Sequence, residues 1–178
     1  MSMYDGRVAS ALLVLTLAAV PVRAQGPGLG VPIAEEDVGA WDITVFPSGE
    51  NLPPGSGTSA QGAPIYAVKC ALCHGVNGEG GSAAGIVGGE PLTNGIDTRK
   101  TIKNIWSNAT TLFDFTRRQM PMAAPRSLTD DEVYALTAYI LALNDIIDED
   151  TVMNAETLVQ VQMPNRDGFI ARFPELMP

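Results

Sequence analysis

Cys70-Ala71-Leu72-Cys73-His74 places two thiols three positions apart and an imidazole beside the second, with Gly75 directly behind. On a helix that spacing is close to one turn, so both sulfurs lie towards the same side. Two thiols so held can add to the two vinyl groups of a haem, and the adjacent imidazole then stands under the iron as its proximal ligand. The competing chemistry is that of a dithiol of the thioredoxin kind, or of a plain disulfide, with the histidine incidental. Three features oppose it: no strand-helix-strand pattern surrounds the segment, the chain has no other cysteine, and His74 is its single histidine. The segment is read as the attachment point of one covalent haem, with Cys70 and Cys73 as tethers and His74 as metal ligand.

With His74 on the proximal side, no second histidine remains, so bis-histidine ligation within the chain is excluded by counting. The sixth position is left to Met, to Lys or to an open site. Of the seven methionines, Met1 and Met3 belong to the leader, and Met153, Met163 and Met177 fall in the tail. Met120 and Met122 sit in Gln119-Met120-Pro121-Met122-Ala123-Ala124-Pro125, framed by two prolines that can hold a thioether rigidly. A neutral sulfur ligand favours Fe(II) and raises the reduction potential, as an electron carrier requires. These residues alone leave the choice between Met120 and Met122 open. Haem propionates need donors when buried, and Arg117, Arg118, Trp106 and Tyr66 are the candidates, Arg118 first because it adjoins the methionine loop. For each of the four, a packing or surface role is an equal reading.

The elements that must position these groups follow from the rest of the chain. Residues 1–24 read as a signal peptide: Arg7, then the apolar run Ala11 to Val20, then small residues around Ala24. Ten apolar residues fall short of the roughly 20 that span a bilayer. Export to the periplasm is expected, where haem is joined to thiols and free thiols otherwise oxidise. The formal net charge of −9 disfavours nucleic acid and anionic lipid, and suits either solubility or a basic protein partner. Residues 25–59 are rich in Gly and Pro yet carry Trp41, Ile43, Val45 and Phe46, so they predict one helical turn over 35–41 and then an extended strap.

The domain is expected over residues 60–146. A helix from Gly62 to Cys70, with Pro64 in its first turn, would bury Ile65, Val68 and Ala71 or Leu72 and deliver the cysteines. The glycine-rich stretch 75–96 predicts a loop passing close to a flat ligand. Two short helices are expected over 97–106, capped by Asp97, and over 111–119, with Leu112 and Phe115 together. The best-defined helix opens on the capping box Thr129-Asp130-Asp131-Glu132, with Val133, Leu136, Tyr139, Ile140 and Leu143 as one apolar stripe. Residues 147–178 form a C-terminal extension in which Met163-Pro164-Asn165-Arg166-Asp167-Gly168-Phe169 predicts a turn with flanking anchors.

CALCHGVNGEG, the Met-Pro loop and LTDDEVYALTAYIL together resemble class I cytochrome c, over about residues 60 to 145. The resemblance implies an all-α fold of short helices around one covalently attached haem, in which Gly62 and Tyr66 would meet Leu136 and Tyr139 where the first and last helices cross. A narrower resemblance runs through ITVFPSGENLPPGSGTSAQGAPIY, the stretch from Lys100 to Ile147, and MPNRDGF. These segments are similar to the cytochrome subunit of periplasmic sulfite or sulfane dehydrogenases, the SoxD type. That family implies a molybdenum-containing partner subunit, electron transfer in sulfur oxidation, onward delivery to an acceptor such as another cytochrome, and Met120 as axial ligand. Two departures stand out. Longer members carry a second haem module, whereas this chain has one Cys-X-X-Cys-His, and the proline whose carbonyl orients the proximal imidazole is replaced by Ala84-Gly85-Ile86, with Pro91 further on.

The reading that follows is a one-electron relay, not catalytic alone, because no His, Cys or metal set remains once the haem is held. The strap and the extension are expected to dock on the catalytic subunit, either being removable without disturbing the haem. The rivals are a free-standing shuttle serving a terminal oxidase, a haem enzyme or gas sensor with an open iron site, and the dithiol oxidoreductase.

Overall fold

The computed structural model describes residues 29–92, 98–170 and 173; the leader, Asp97 and Met177 lie outside them. The chain divides into residues 1–41 and 42–178. In the first unit, α1 (Glu35–Val38) is the single expected turn, with Glu35, Glu36 and Asp37 at its start, where carboxylates suit the helix dipole.

The second unit holds the latter half of the strap, the haem-domain stretch and the extension together. Its first strand, β1 (Ser56–Gly57), leads into α2 (Ser59–Lys69). This helix starts three residues before Gly62 because Thr58 caps it: the Thr58 N–H donates to Gln61 Oε1 at 2.9 Å, and the Gln61 N–H to Thr58 Oγ1 at 3.4 Å. Pro64 therefore lies inside the helix, not in its first turn.

The buried face of α2 is Ser59, Gly62 and Tyr66, while Val68 is 81% and Leu72 90% exposed. Of the apolar face predicted, Ile65 and Ala71 pack half-buried against the core, whereas Val68 and Leu72 do not. Shape decides it: a Cβ on Gly62 would overlap the Ala135 carbonyl and come within 2.8 Å of Tyr139 Cβ. Only a bare backbone permits so close a crossing. The Tyr66 and Tyr139 rings meet at 5.2 Å, as the family resemblance implied, and Gly62 lies nearest to the Ala135 carbonyl and Tyr139 Cβ.

A one-residue break at Cys70 separates α2 from α3 (Ala71–His74). The glycine-rich loop then folds on itself: a Cβ on Gly78 would strike Val87, and one on Gly81 would sit 2.9 Å from the Cys73 carbonyl oxygen. Gly78 and Gly81 are thus required by contacts within the protein, whereas a Cβ on Gly88 would meet nothing within 4 Å.

α4 (Ile102–Ile105) is shorter than expected, being capped at Thr101, whose N–H donates to Asn104 Oδ1 at 2.8 Å. α5 (Ala109–Gln119) buries Ala109, Leu112, Phe113 and Thr116, an i, i+3, i+4, i+7 face. Phe115 falls off that face and lies 5.8 Å from Trp106, so Leu112 and Phe115 part company.

At the centre runs α6 (Asp130–Leu143). Thr129 and Glu132 form the capping box, the Thr129 N–H to Glu132 Oε2 bond being 2.9 Å. Every residue from Val133 to Ala138 is buried, with Ile140 and Leu141, so the helix is enclosed on several sides instead of along one stripe. Phe113 packs on Tyr134 at 4.5 Å, and the Tyr134 hydroxyl donates to the Pro53 carbonyl at 2.8 Å.

The chain closes through β2 (Met153–Asn154), which pairs antiparallel with β1 (Ser56 opposite Asn154, Gly57 opposite Met153), and α7 (Ala155–Leu158). Val45 from the strap and Met153, Leu158, Val161 and Met163 from the extension all enter the core. Among the described residues no helix is long and apolar enough to cross a membrane.

Candidate functional site

Cys70, Cys73 and His74 occupy the break before α3 and the helix itself, where the Cys73 and His74 N–H groups donate to the Cys70 carbonyl at 3.1 and 3.0 Å. Gly75 ends the turn with φ +86°, a conformation natural to glycine, and its N–H donates to the Ala71 carbonyl at 2.9 Å. The last carbonyls of α3 are taken up by the returning loop: the Ala83 N–H donates to Cys73 and the Gly80 N–H to His74, at 3.0 and 2.6 Å.

That return brings the Ala84 carbonyl oxygen to 2.8 Å from His74 Nδ1. A carbonyl only accepts, so Nδ1 carries the proton and Nε2 presents its lone pair. The imidazole is thereby fixed in the tautomer and orientation a metal ligand needs. Ala84 stands where a proline was looked for; a backbone carbonyl serves whichever side chain it belongs to.

Both thiols are free and half-buried. Burial pushes Cys70 up to about 11, with Lys69 pulling the other way and Cys73 adding to the rise. A thiol so protonated at neutral pH is a poor nucleophile, contrary to the lowered value on which dithiol oxidoreductases depend. Cys70 and Ala71 join Ile86, Trp106 and Leu128 among the half-buried apolar groups that line the core without being covered. Two free thiols, an oriented imidazole and uncovered apolar surface fit a covalently held haem; among the described residues no group of His, Cys, Asp and Glu could hold a bare metal ion.

Met120 caps α5, its N–H donating to the Thr116 carbonyl at 3.1 Å, and its side chain is half-buried. Met122 is 81% exposed, whereas Met153 and Met163 lie in the core. Arg118 is engaged elsewhere: its Nε donates to Asp114 Oδ1 at 2.9 Å and its Nη2 to Oδ2. Arg117 pairs with Asp130 at 3.0 Å. The Tyr66 hydroxyl donates to the Gly75 carbonyl at 2.9 Å, which ties α2 to the end of the haem-attachment turn, and burial, Cys70, Tyr139 and Glu79 in that order push it up to about 12. Three of the four propionate candidates thus have protein partners, and Trp106 stacks on Phe115.

Sequence reasoning missed the Ala84 carbonyl and Asp114. The latter also accepts the Val45 N–H at 3.0 Å and so fastens the strap to α5. Its only sequence signal was the Asp114–Arg118 spacing of four on a helix.

A family model described as Cytochrome c matches residues 59–144. Among solved structures, the sulfane dehydrogenase SoxCD from Paracoccus pantotrophus contains a chain 36% identical to this one, with a TM-score of 0.74, the likeness covering 85% of this chain and 75% of that chain. No curated protein matches.

Proposed function

This chain belongs to the class I cytochrome c family, and we propose that within it the protein is the periplasmic electron-accepting subunit of a molybdenum-dependent sulfite or sulfane dehydrogenase. As a family member it is an electron-transfer protein with a covalently attached haem c. When bound, the haem supplies exchange of single electrons between Fe(III) and Fe(II). In the proposed site, Cys70 and Cys73 would hold the group through thioether bonds, and His74 would offer Nε2 to the iron while Ala84 keeps its Nδ1 proton in place. Met120 would offer its thioether sulfur as a further ligand.

The His74–Ala84 hydrogen bond at 2.8 Å is the observation that best supports this arrangement, since it specifies one nitrogen as donor. The dehydrogenase partnership draws support from the reach of the likeness. At 85% of the chain it extends well outside residues 59–144, into flanks that a cytochrome fold in general does not dictate.

The test is expression in a strain competent for cytochrome maturation, together with affinity capture of the tagged protein from its native host. The expected result is a coloured holoprotein one haem heavier than the mature polypeptide, co-purifying with a molybdenum protein whose sulfur substrate reduces it. A colourless product would refute the haem site. A coloured product reduced equally well without any such partner would leave a free-standing electron carrier instead.

A further inference from the structure

The Met163–Gly168 turn has no part in the site above, and its hydrogen bonds show what it holds. Met163 is buried, Asn165 Nδ2 donates to the Ile105 carbonyl at 2.9 Å, and the Arg166 N–H donates to the Met163 carbonyl at 3.0 Å. The turn closes on Gly168, where a Cβ would overlap the Asn165 side chain. Anchored this way, it sets Arg166 beside the N-terminus of α5.

There Arg166, Asn108, Ala109, Thr110 and Val161, with Pro47 of the strap, border a cavity of about 30 Å³. Thr110 is 2% exposed, and its Oγ1 is the one buried side-chain polar atom among the described residues without a hydrogen-bond partner. The contrast with buried Thr137 is instructive: two turns into α6, its hydroxyl donates to the Val133 carbonyl at 2.7 Å. Thr110, second residue of α5, has no helical carbonyl four residues behind it. The Ala109 and Thr110 N–H groups equally lack an intrahelical acceptor, and Asn108, whose Nδ2 donates to Ser107 Oγ at 2.9 Å, makes no side-chain cap. No carboxylate borders the cavity, and Arg166 makes no ion pair among the described residues.

We propose that this cavity binds a small tetrahedral oxyanion of the sulfate and phosphate class, with the Thr110 hydroxyl and the first N–H groups of α5 donating to its oxygens and Arg166 supplying the countercharge. The Thr110 hydroxyl, the first N–H groups of α5 and the Arg166 guanidinium can all donate, and no carboxylate borders the cavity, which suits an oxyanion better than a metal ion. The space holds about two water-sized groups, so one or two oxygens enter while the remainder faces the guanidinium. The local field must do the holding, because the chain's net charge of −9 repels anions at a distance.

Calorimetric titration of the full-length holoprotein with sodium sulfate, chloride replacing sulfate at constant ionic strength, tests the site, with sodium phosphate as a second titrant. The expected result is saturable one-to-one binding, weakened at least tenfold in Arg166→Gln and in Thr110→Val and kept in Thr110→Ser, with an unchanged haem spectrum. Arg166 is exposed, so its variant folds even if Thr110→Val does not. Heats that never saturate, or that the Arg166→Gln variant reproduces, mean water or an adventitious ion only, and overturn the proposal.

Discussion

Cys-X-X-Cys-His is legible in sequence because its chemistry lies in the side chains; the partner of His74 is not, because a backbone carbonyl has no letter of its own. Among the methionines, spacing left two, and exposure separates them: Met122 is 81% exposed, whereas Met120 is half-buried at the end of α5. Met120→Ala should therefore abolish the far-red absorption of methionine-ligated ferric haem and give a high-spin spectrum, with Met122→Ala unchanged; the reverse pattern would transfer the role. For Arg118 the sequence does not say that Asp114, one turn earlier, pairs with its guanidinium. Glu132 carries a pH signature. The Thr129 N–H first, and the Lys69 ammonium at 2.9 Å second, hold its carboxyl below the ordinary value of 4.5. A depressed carboxyl stabilises fully above its unfolded value, and the contribution vanishes as pH falls through the lower folded one. Glu132→Gln should lose about 1 kcal/mol or less at pH 7, since the pair is partly exposed, and converge with wild type in acid. Thermal melts from pH 7 to pH 3 check this; parallel curves for the two proteins would show that the charge of Glu132 contributes nothing.

Elements were legible where the signal is local. The Thr129 capping box starts α6 where the residues say it should, whereas the same device at Thr58 starts α2 ahead of the Gly62 to which Pro64 points. Which face a helix buries is decided by the neighbour's shape. Gly57 and Gly62 both press on Ala135, the former with a Cβ that would come within 2.5 Å of the Ala135 Cα, so β1 and α2 close on one residue of α6. That places Tyr66, and through its bond to the Gly75 carbonyl the attachment turn, at a fixed distance from the central helix. Gly62→Ala should force the helices apart at a cost of about 1–3 kcal/mol or more, more than the gain in helix propensity returns. Denaturant unfolding of the holoprotein measures it. A loss below about 0.5 kcal/mol would mean the crossing is soft and that the choice of face has another origin.

For the whole molecule, the flanks were the least legible part. Gly and Pro in residues 42–58 hide the periodicity by which buried strands are recognised, and the paired strands are two residues each, too short to carry any. What gives them a place is contact across the sequence: Val45 N–H on Asp114, Tyr134 on the Pro53 carbonyl, β1 on β2. These contacts argue against the expectation that strap and extension could be removed without disturbing the haem. Met153 is 0% and Leu158 1% exposed, with Met163 at 3%. Uncovering three such side chains forfeits on the order of 1.5–3 kcal/mol each, comparable in sum to the 5–15 kcal/mol by which a domain is stable. A chain ending at Asp150 should therefore lose cooperative thermal unfolding and yield little soluble holoprotein, while the full chain melts in one transition. The extension is thus a wall of the fold before it can be a docking arm, and a truncated protein with an undiminished Tm would return it to the latter role.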